Sequence, residues 1–479
     1  MPKHSIQSRF RPWAAGLLLR VALTAYSGLT AQTAPLPPSP TPGPPSAASF
    51  QGSVTKGKAS AQSIDLSLDD AMQSGLEANL GIILSGTQTA GARAQRLSQL
   101  QTLLPSVNFN AKEAVQQTDL PAEGLRLPGF PKIIGPYSYT DLRANMTWSV
   151  VNIKSLCDYL AARHNFDAAK LSAEDARDMV VLTVGNAYLL VLADETEVSS
   201  VEAQVSTAKV SLDQAVDNHK AGTAPLLDEL RARVDYQSLQ QQQIAAQNAL
   251  EKDRLALART IGLPLEQSFN LTDKAPYAPF DALDTAALIK QAEENRKDLA
   301  SMVQAAAAAA DERRAATAAR LPTLEADADY GDIGATLSHS HGTVDATGTV
   351  SVPVFEEFSL RGQAEEAQAQ LDTAQAQLSD KRAQVESDVR DALLDIAAAQ
   401  KQVEVAQSTM DLANEALKEA QERYANGVSD NLPVSQAQQS VAQADNQYVT
   451  SLYRHNVAKL SLARALGAGA DYRKYVGGK

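Results

Sequence analysis

Residues 389–424 read VRDALLDIAAAQKQVEVAQSTMDLANEALKEAQERY, and large side chains return in this stretch at every seventh position. These positions are Val389, Ile396, Val403, Met410, Leu417 and Tyr424, and a second series three residues on consists of Ala392, Ala399, Ala406, Ala413 and Ala420. A strict seven-residue repeat makes neighbouring α-helices wind around each other, and alanines in the seam let their backbones come close. The stretch therefore predicts a long helix in a coiled coil.

The first half of the chain carries the same register 205 residues earlier. Its repeating positions are Val184, Val191, Val198, Val205, Leu212 and His219. LARTIG at 257–262 matches LARALG at 462–467 with the same offset, and the Leu-Pro pair at 104–105 matches the pair at 321–322 with an offset of 217. Agreement in register over such spans indicates an internal duplication.

Proline and glycine are scarce around both repeats. Neither residue occurs from 363 to 426, and between Pro136 and Pro225 only Gly185 and Gly222 intervene. A helix of about 60 residues would be about 90 Å long at 1.5 Å per residue. Ordinary globular domains do not hold helices of that length side by side, so the helices of each half are expected to form an extended bundle.

Two further segments in each half alternate between apolar and polar residues. The apolar members are Val107, Phe109 and Ala111; Leu142, Ala144, Met146, Trp148 and Val150; Leu324, Ala326, Ala328 and Tyr330; and Val344, Ala346, Gly348, Val350 and Val352. Period-two alternation predicts strands with one apolar face. The long helices are already occupied by their own seam, so we expect this face to meet lipid in a membrane β-barrel. Four strands cannot close a barrel, and several chains must therefore contribute.

The composition and charge of the chain argue against several classes of function. The net charge of −13 argues against a nucleic-acid partner, because phosphate binding needs clustered Lys and Arg. Cys157 is the single cysteine, which excludes an internal disulfide and a cysteine-based zinc cluster. No nucleophile and base or metal-ligand constellation stands out. We therefore expect neither an enzyme nor a bound cofactor.

The N-terminus has the layout of an export signal. Residues 1–31 combine a basic start with an apolar stretch at 13–24 and small residues after it, which predicts a secretory signal peptide. Residues 32–63 include the run PLPPSPTPGPP and are expected to be a Pro-rich flexible spacer. The folded part is then expected to begin near Ile64. The most apolar later stretch, 179–193, is short and interrupted by polar residues, and it predicts a helix core.

In the order of several short motifs, the chain resembles the TolC family of outer-membrane efflux and secretion channels, also called outer membrane factors. The motifs are LSLDDAMQSGLEAN at 66–79, IKQAEENRKDL at 289–299, the Leu-Pro pair before each first strand, RYANG at 423–427 and the two LAR ends. Each motif alone is weak, but their duplicated order is specific. The resemblance covers residues 64–467.

The resemblance implies an α+β membrane protein that assembles as a homotrimer in the lipid of the outer membrane. Each chain would give four strands to one transmembrane β-barrel, and its long antiparallel coiled-coil helices would form a periplasmic tunnel. The channel would be the passive exit duct of a tripartite efflux pump or type I secretion system, working with a periplasmic adaptor (membrane fusion protein) and an inner-membrane pump.

The resemblance also divides the chain. Residues 64–262 would be the first repeat, 263–284 an equatorial connection, 285–467 the second repeat and 468–479 a C-terminal tail. The long helices would span 154–221 and 357–426. The shorter helices would span 65–103, 226–261, 285–320 and 433–466.

The turns at 220–226 and 425–433 would be the periplasmic tips, where an adaptor docks. Gly222 and Gly427 suit the left-handed end of a helix, and Pro225 and Pro433 suit the start of the next. Some family members close the entrance with carboxylates six and nine residues after the second glycine, but this chain has Pro433 and Gln436 there. Other charges nearby could serve at the entrance, and they are Asp228, Glu229 and Asp430.

An acidic band is expected on the polar face of the second strand pair. Its members are Glu325, Asp327, Asp329 and Asp345. Tripled by symmetry, rings of carboxylates inside a barrel favour cations. The alternative is a solvated interior in which these acids pair with Lys112 and Arg143. The strand aromatics Tyr137, Tyr139, Trp148 and Tyr330 are expected in belts at the membrane interfaces.

A different class stays open from the sequence. Long antiparallel heptad helices behind a signal peptide also describe a periplasmic coiled-coil adaptor or scaffold protein. Such a protein would lack four two-faced strands and would stay soluble or lipid-anchored. The membrane fraction and the native mass together discriminate between the two classes.

Overall fold

The computed structural model describes residues 47–122, 124, 128–273, 277–280, 284–426, 428–429 and 432–476. The predicted signal peptide, residues 1–31, lies outside the described residues. Within them the chain divides into two compact units: a sheet unit, Ser98–Leu156 with Ala318–Leu360, and a helical unit that holds the rest.

Helices account for most of the chain. They are α1 (Leu68–Ala78), α2 (Leu80–Gln101), α3 (Ile153–Lys220), α4 (Leu226–Ile261), α5 (Thr285–Asn295), α6 (Lys297–Ala318), α7 (Glu357–Ala425), α8 (Leu432–Ala465) and α9 (Arg473–Val476). The strands are β1 (Ile64–Leu66), β2 (Ser106–Asp119), β3 (Ile133–Val151), β4 (Phe269–Leu271), β5 (Thr323–Gly334) and β6 (Ser340–Ser351).

The long helices α3 and α7 have 68 and 69 residues, which makes each about 100 Å long at 1.5 Å per residue. The heptad positions Val184, Val191, Val389 and Val403 are buried, so the repeat predicted both helices and their packing face. One window of α3 is apolar enough for a membrane span, but half of it is buried inside the protein. It forms the core of the helical unit, as the sequence indicated.

The predicted continuous helices at 65–103 and 285–320 are each broken once, which corrects the sequence prediction. The breaks fall at Asn79 and Arg296, whose backbones are extended (φ −65° and ψ 133°, φ −65° and ψ 119°). The offset between the two breaks is the same 217 residues that separates the Leu-Pro pairs. The kinks are therefore a feature of the duplicated plan.

The folded part begins earlier than Ile64, because residues from Ala47 onward already pack. A 3-10 helix, Ala47–Gln51, buries Phe50 in the core of the helical unit. The backbone nitrogen of Val54 then donates to the carbonyl of Ala78 (2.9 Å). The expectation of a flexible spacer up to residue 63 is thus wrong for this part of the segment, where a large aromatic side chain supplies apolar surface to bury.

Short elements tie the first repeat to the connection that follows it. β1 pairs in parallel with β4, so that Ile64 lies beside Phe269. The buried Tyr188 of α3 donates to the carbonyl of Leu66 (3.1 Å) and to Asp273 (2.8 Å). One side chain of the long helix therefore holds both β1 and the connection.

The four long strands form one antiparallel sheet in the order β2-β3-β5-β6. Val107 lies opposite Met146, Met146 opposite Ala328, and Ala328 opposite Ala346. Since directly opposed residues point to the same face, the apolar members of all four strands share one side. The alternation predicted both the strands and their common apolar face.

Candidate functional site

The apolar face of the sheet is open in the single chain. Phe109, Tyr330 and Val344 are 71%, 65% and 74% exposed, and Val107 and Val350 are similarly open. An exposed apolar surface of this size marks contact with a partner or a membrane. In a sheet whose opposite face is polar, it has the character of a lipid-facing wall.

Arg143 organises the polar face. Its guanidinium forms an ion pair with Asp329 on β5, reaches Asp141 on its own strand (3.3 Å) and donates to Thr343 on β6 (3.1 Å). Lys112 lies over the ring of Tyr139 at 5.4 Å. The basic side chains of this face are thus engaged with their neighbours.

The four acids of the expected band do lie on this face. Asp329 lies opposite Asp345, Asp327 opposite Thr347 and Glu325 opposite Thr349. Arg143 neutralises Asp329, whereas no ion pair to Glu325, Asp327 or Asp345 occurs among the described residues. Of the two interpretations made from the sequence, pairing therefore applies to one acid and leaves three unpaired.

Two of the four strand aromatics do not lie on the apolar face, where belts at the membrane interfaces would need them. Tyr139 lies opposite Ala114 and contacts Lys112, and Tyr137 lies opposite Gln116, so both belong to the polar face. A place in a lipid-facing belt is wrong for them because their phase along β3 matches Arg143. Trp148 and Tyr330 are on the apolar face, and Trp148 donates to the carbonyl of Leu103 (3.2 Å).

The first tip is a tight turn. Gly222 has φ +73°, a conformation that only glycine adopts without strain, and the nitrogen of Thr223 donates to the carbonyl of Asn218 (2.9 Å). Pro225 is the N-cap of α4. In the second tip Pro433 is the second residue of α8, whereas Gly427 and Asp430 lie outside the described residues.

The carboxylates of the first tip are occupied within the chain. Asp228 is only 4% exposed and lies 3.9 Å from Arg231. Glu229 pairs with His219 (2.8 Å) and Arg233 (2.7 Å).

What the tips expose instead is apolar, and sequence reasoning missed it. The exposed side chains are Leu226, Leu227, Val428 and Leu432. The signal in the sequence that could have revealed them is the clustering of these apolar residues at the two turns.

Comparison with known proteins accounts for the duplicated helices, the two-faced sheet and the tips together. A family model described as outer membrane efflux protein matches residues 85–263 and 288–468, most of both repeats. The chain belongs to the outer membrane efflux protein family. None of the curated protein sequences compared with it matches.

Solved channels share the fold of this efflux protein. The CmeC outer membrane channel of Campylobacter jejuni superimposes with a TM-score of 0.76 at 19% identity over 88% of this chain and 92% of that one. VceC of Vibrio cholerae gives 0.75 at 20% identity over 84% and 96%. The open state of MtrE of Neisseria gonorrhoeae gives 0.73 at 18% identity over 87% and 94%.

Family membership confirms the central predictions. The chain is an outer-membrane channel with a periplasmic helical tunnel, and it acts as the exit duct of an efflux pump. Proteins of this family form trimers, work in tripartite pumps and are channels rather than enzymes. The periplasmic adaptor or scaffold interpretation is therefore not supported.

The two breaks of this efflux protein are built differently. In the first repeat Asn79 donates to the carbonyl of Phe50 (2.6 Å) and accepts from the nitrogen of Gly81 (2.8 Å), and a side chain at Gly81 would collide with the Phe50 ring. We call this contact, formed by Phe50, Asn79 and Gly81, the apolar joint.

The second repeat has charges at the equivalent positions, an arrangement the sequence analysis missed. Arg296 holds Asp298 (2.7 Å) and Asp388 (2.6 Å), and Lys381 also reaches Asp298 (2.8 Å). Burial alone would raise the pKa of Asp298, but the hydrogen bonds from Arg296 and Lys381 outweigh it and hold that pKa well below its usual range. We call Arg296, Asp298, Lys381 and Asp388 the ionic joint.

Asp194 of α3 takes the position that is Ala399 of the alanine series 205 residues later in this efflux protein. Burial and the neighbouring carboxyl of Asp253 on α4 raise the pKa of Asp194 to about 7.

Proposed function

We propose that three copies of this chain close one twelve-stranded barrel and conduct substrates passively from the periplasm to the exterior, with the tips at 220–226 and 425–433 docking a periplasmic adaptor. The single observation that supports this most is the four-stranded sheet with an exposed apolar face and a charged opposite face. Work in a tripartite pump belongs to the family as a whole, whereas the docking of an adaptor on these tips is our proposal.

Barrel closure follows from the sheet edges. β2 and β6 are the outer strands, with 14 and 12 residues, and each has one side without a partner strand among the residues that the structure describes. An open edge invites pairing with another strand. Since strand directions alternate, β6 of one copy runs antiparallel to β2 of the next, and three copies give an even number of strands in one ring.

The first experiment is to measure the membrane fraction and the native mass. We expect a trimer that stays in the outer membrane through alkaline washing and is released by detergent. A soluble monomer or dimer in the periplasm would overturn the proposal.

The acidic band gives the barrel a preference for cations. Glu325, Asp327 and Asp345 have no basic partner among the described residues, so three copies contribute nine unpaired carboxylates facing the lumen. We expect the reversal potential across a planar bilayer under a salt gradient to show cation selectivity. Replacing the three acids together with their amides should reduce it.

Asp332 provides the matched control. It lies on the same strand but opposite Leu142, on the apolar side of the sheet. Asp332→Asn should leave the selectivity unchanged. Equal permeability of the unmodified channel to both ion signs would contradict the acidic-band proposal.

Adaptor docking is proposed on the exposed apolar side chains of the tips. We expect Leu226→Glu to abolish export from cells while trimer mass and bilayer conductance stay normal, because a charge would disrupt an apolar contact at this turn. Leu97→Glu on α2 introduces the same charge at another exposed leucine and should export normally. Normal export by Leu226→Glu would exclude this contact.

A further inference from the structure

The connection between the two repeats crosses a buried polar face of α8. Its residues 277–280, which we call the strap, have no regular secondary structure. The ring of Tyr277 lies against the imidazole of His455, with 5.4 Å between the ring centroids and a tilt of 48°. The ammonium of Lys459, about one turn further along α8, donates to the carbonyl of Ala278 (2.5 Å). The strap therefore covers two basic side chains.

Both basic side chains are sealed from water. His455 is fully buried and Lys459 is only 2% exposed. Neither ring nitrogen of His455 has a hydrogen-bond partner in the described part of the chain. Burial lowers the pKa of the Lys459 ammonium, and no carboxylate of the described residues offsets that effect. A second positive charge at His455 would thus have no counter-ion beside it.

The groups around the imidazole all disfavour its protonation or leave it unaffected. Lys459 is the charged group that acts on it. From the connection it meets the uncharged phenol of Tyr277, whereas Glu404 of α7 and Tyr448 of α8 act on Tyr277 instead. Like charges four residues apart on a helix repel each other, and a buried setting strengthens that repulsion. An imidazolium at His455 therefore destabilises the covered arrangement.

We propose that the strap is acid-sensitive: it covers α8 at neutral pH and is released from α8 when His455 takes up a proton beside Lys459. Release admits water to both positive charges and lets them separate from the Tyr277 ring and the Ala278 carbonyl. This inference goes beyond the proposed function, because it concerns a conformational change within one chain.

The release can be local because other faces of α8 are firmly packed. Leu460 and Leu462 are buried in two separate hydrophobic clusters of the helical unit. The strap has fewer attachments. Besides the contacts with the two basic residues, Phe280 packs at the edge of the second cluster, and its nitrogen donates to Gln400 at 3.4 Å. Segments with few contacts open at a lower free energy than the whole protein.

The size of the effect follows from proton linkage. Burial and the charge of Lys459 lower the pKa of His455 to about 4 under the strap, and contact with water in the released state returns it toward about 6.5. Since the covered imidazole binds the proton more weakly, the covered state loses stability as the pH falls below 6.5. The ratio of released to covered strap should rise about thirtyfold between neutral pH and pH 5.

Hydrogen exchange of the purified protein in detergent, read by mass spectrometry, tests the proposal. At each pH, the exchange rate of peptides that contain 277–280 is divided by the rate of the same peptides in His455→Gln, which cancels the intrinsic pH dependence of exchange. We expect this quotient to be about thirtyfold larger at pH 5 than at pH 7.5. Peptides of α3 around Val184 should show no such change.

His164 provides the matched control. It lies on α3, is partly exposed, and contacts Gln304 (2.8 Å) and Asp311 (3.7 Å). His164→Gln should leave the pH dependence of the strap as it is in the unmodified protein. Lys459→Met removes the bond to the strap, so its strap peptides should exchange faster already at pH 7.5.

A quotient that stays constant between pH 7.5 and pH 5 overturns the proposal. So does an equal acceleration in the strap and in α3, because the helical unit would then open as a whole. If His455→Gln does not fold, the same peptides free in solution provide the reference rates. Strap peptides of the unmodified protein that keep their protection at pH 5 would then refute the release.

Discussion

Replacing Arg296 with alanine would remove the centre of the ionic joint. Its guanidinium is 4% exposed and makes two hydrogen bonds to Asp298 (3.0 and 2.7 Å) and one to Asp388 (2.6 Å). Breaking a buried ion pair costs about 3–5 kcal/mol, because a charge is left without its partner. Lys381 still holds Asp298, and water can reach Asp388. We therefore expect the free energy of unfolding to fall by about 3 kcal/mol, at the lower end of that range.

The assay is the thermal unfolding of the purified trimer in detergent, followed by circular dichroism at fixed scan rate. Arg390→Ala is the matched control: Arg390 pairs with Glu386 at 2.6 Å on α7, but both side chains are largely exposed. That variant should lose about 0.3–0.5 kcal/mol. If both variants melted at the temperature of the unmodified protein, or lost the same amount, burial would not be what makes the ionic joint strong.

Three further predictions concern stability. His455 is fully buried, and burial with the nearby charge of Lys459 lowers the pKa of its imidazole to about 4. The unfolded chain takes up that proton near pH 6.5, so stability should fall by about 3 kcal/mol between pH 6.5 and 4, and His455→Phe should remove this slope in a pH series of melting curves. Gly262 has φ +81°, and an added Cβ would lie 2.5 Å from that of Ala78. Gly262→Ala should thus cost about 2 kcal/mol, whereas Gly86→Ala, in open space on α2, should gain about 0.5–1 kcal/mol in the same melts. Phe50→Ala should cost about 3 kcal/mol by opening a cavity, and an unchanged melting temperature would contradict its place in the core.

The periodic parts of the chain were predictable because one residue spacing decides them. Seven-residue spacing predicted the two long helices α3 and α7, and the family resemblance gave their ends to within a residue. Two-residue spacing predicted all four long strands. The helix breaks were not predictable, since Asn79 and Arg296 are not helix breakers. Contacts from far along the chain, Phe50 in one case and Asp388 in the other, hold the extended backbone there.

The candidate site was predictable in its faces but not in its pairings. The phase of β3 would have placed Tyr139 with Arg143 on the polar side, had it been weighed above the usual membrane preference of tyrosine. The ion pair of Arg143 with Asp329, and the burial of Asp228, depend on which helices and strands become neighbours. Sequence alone supplies the charges and leaves their partners undetermined.

The unlike joints make the two repeats of each chain respond differently to their medium. Sulfate and phosphate strengthen the burial of apolar groups such as Phe50, whereas dissolved ions weaken attraction between partly exposed charges such as Lys381 and Asp388. A rise in such salts therefore tightens one kink and loosens the other. In a trimer the apolar and ionic joints alternate around the ring. A ring of six similar repeats therefore bends with threefold rather than sixfold symmetry.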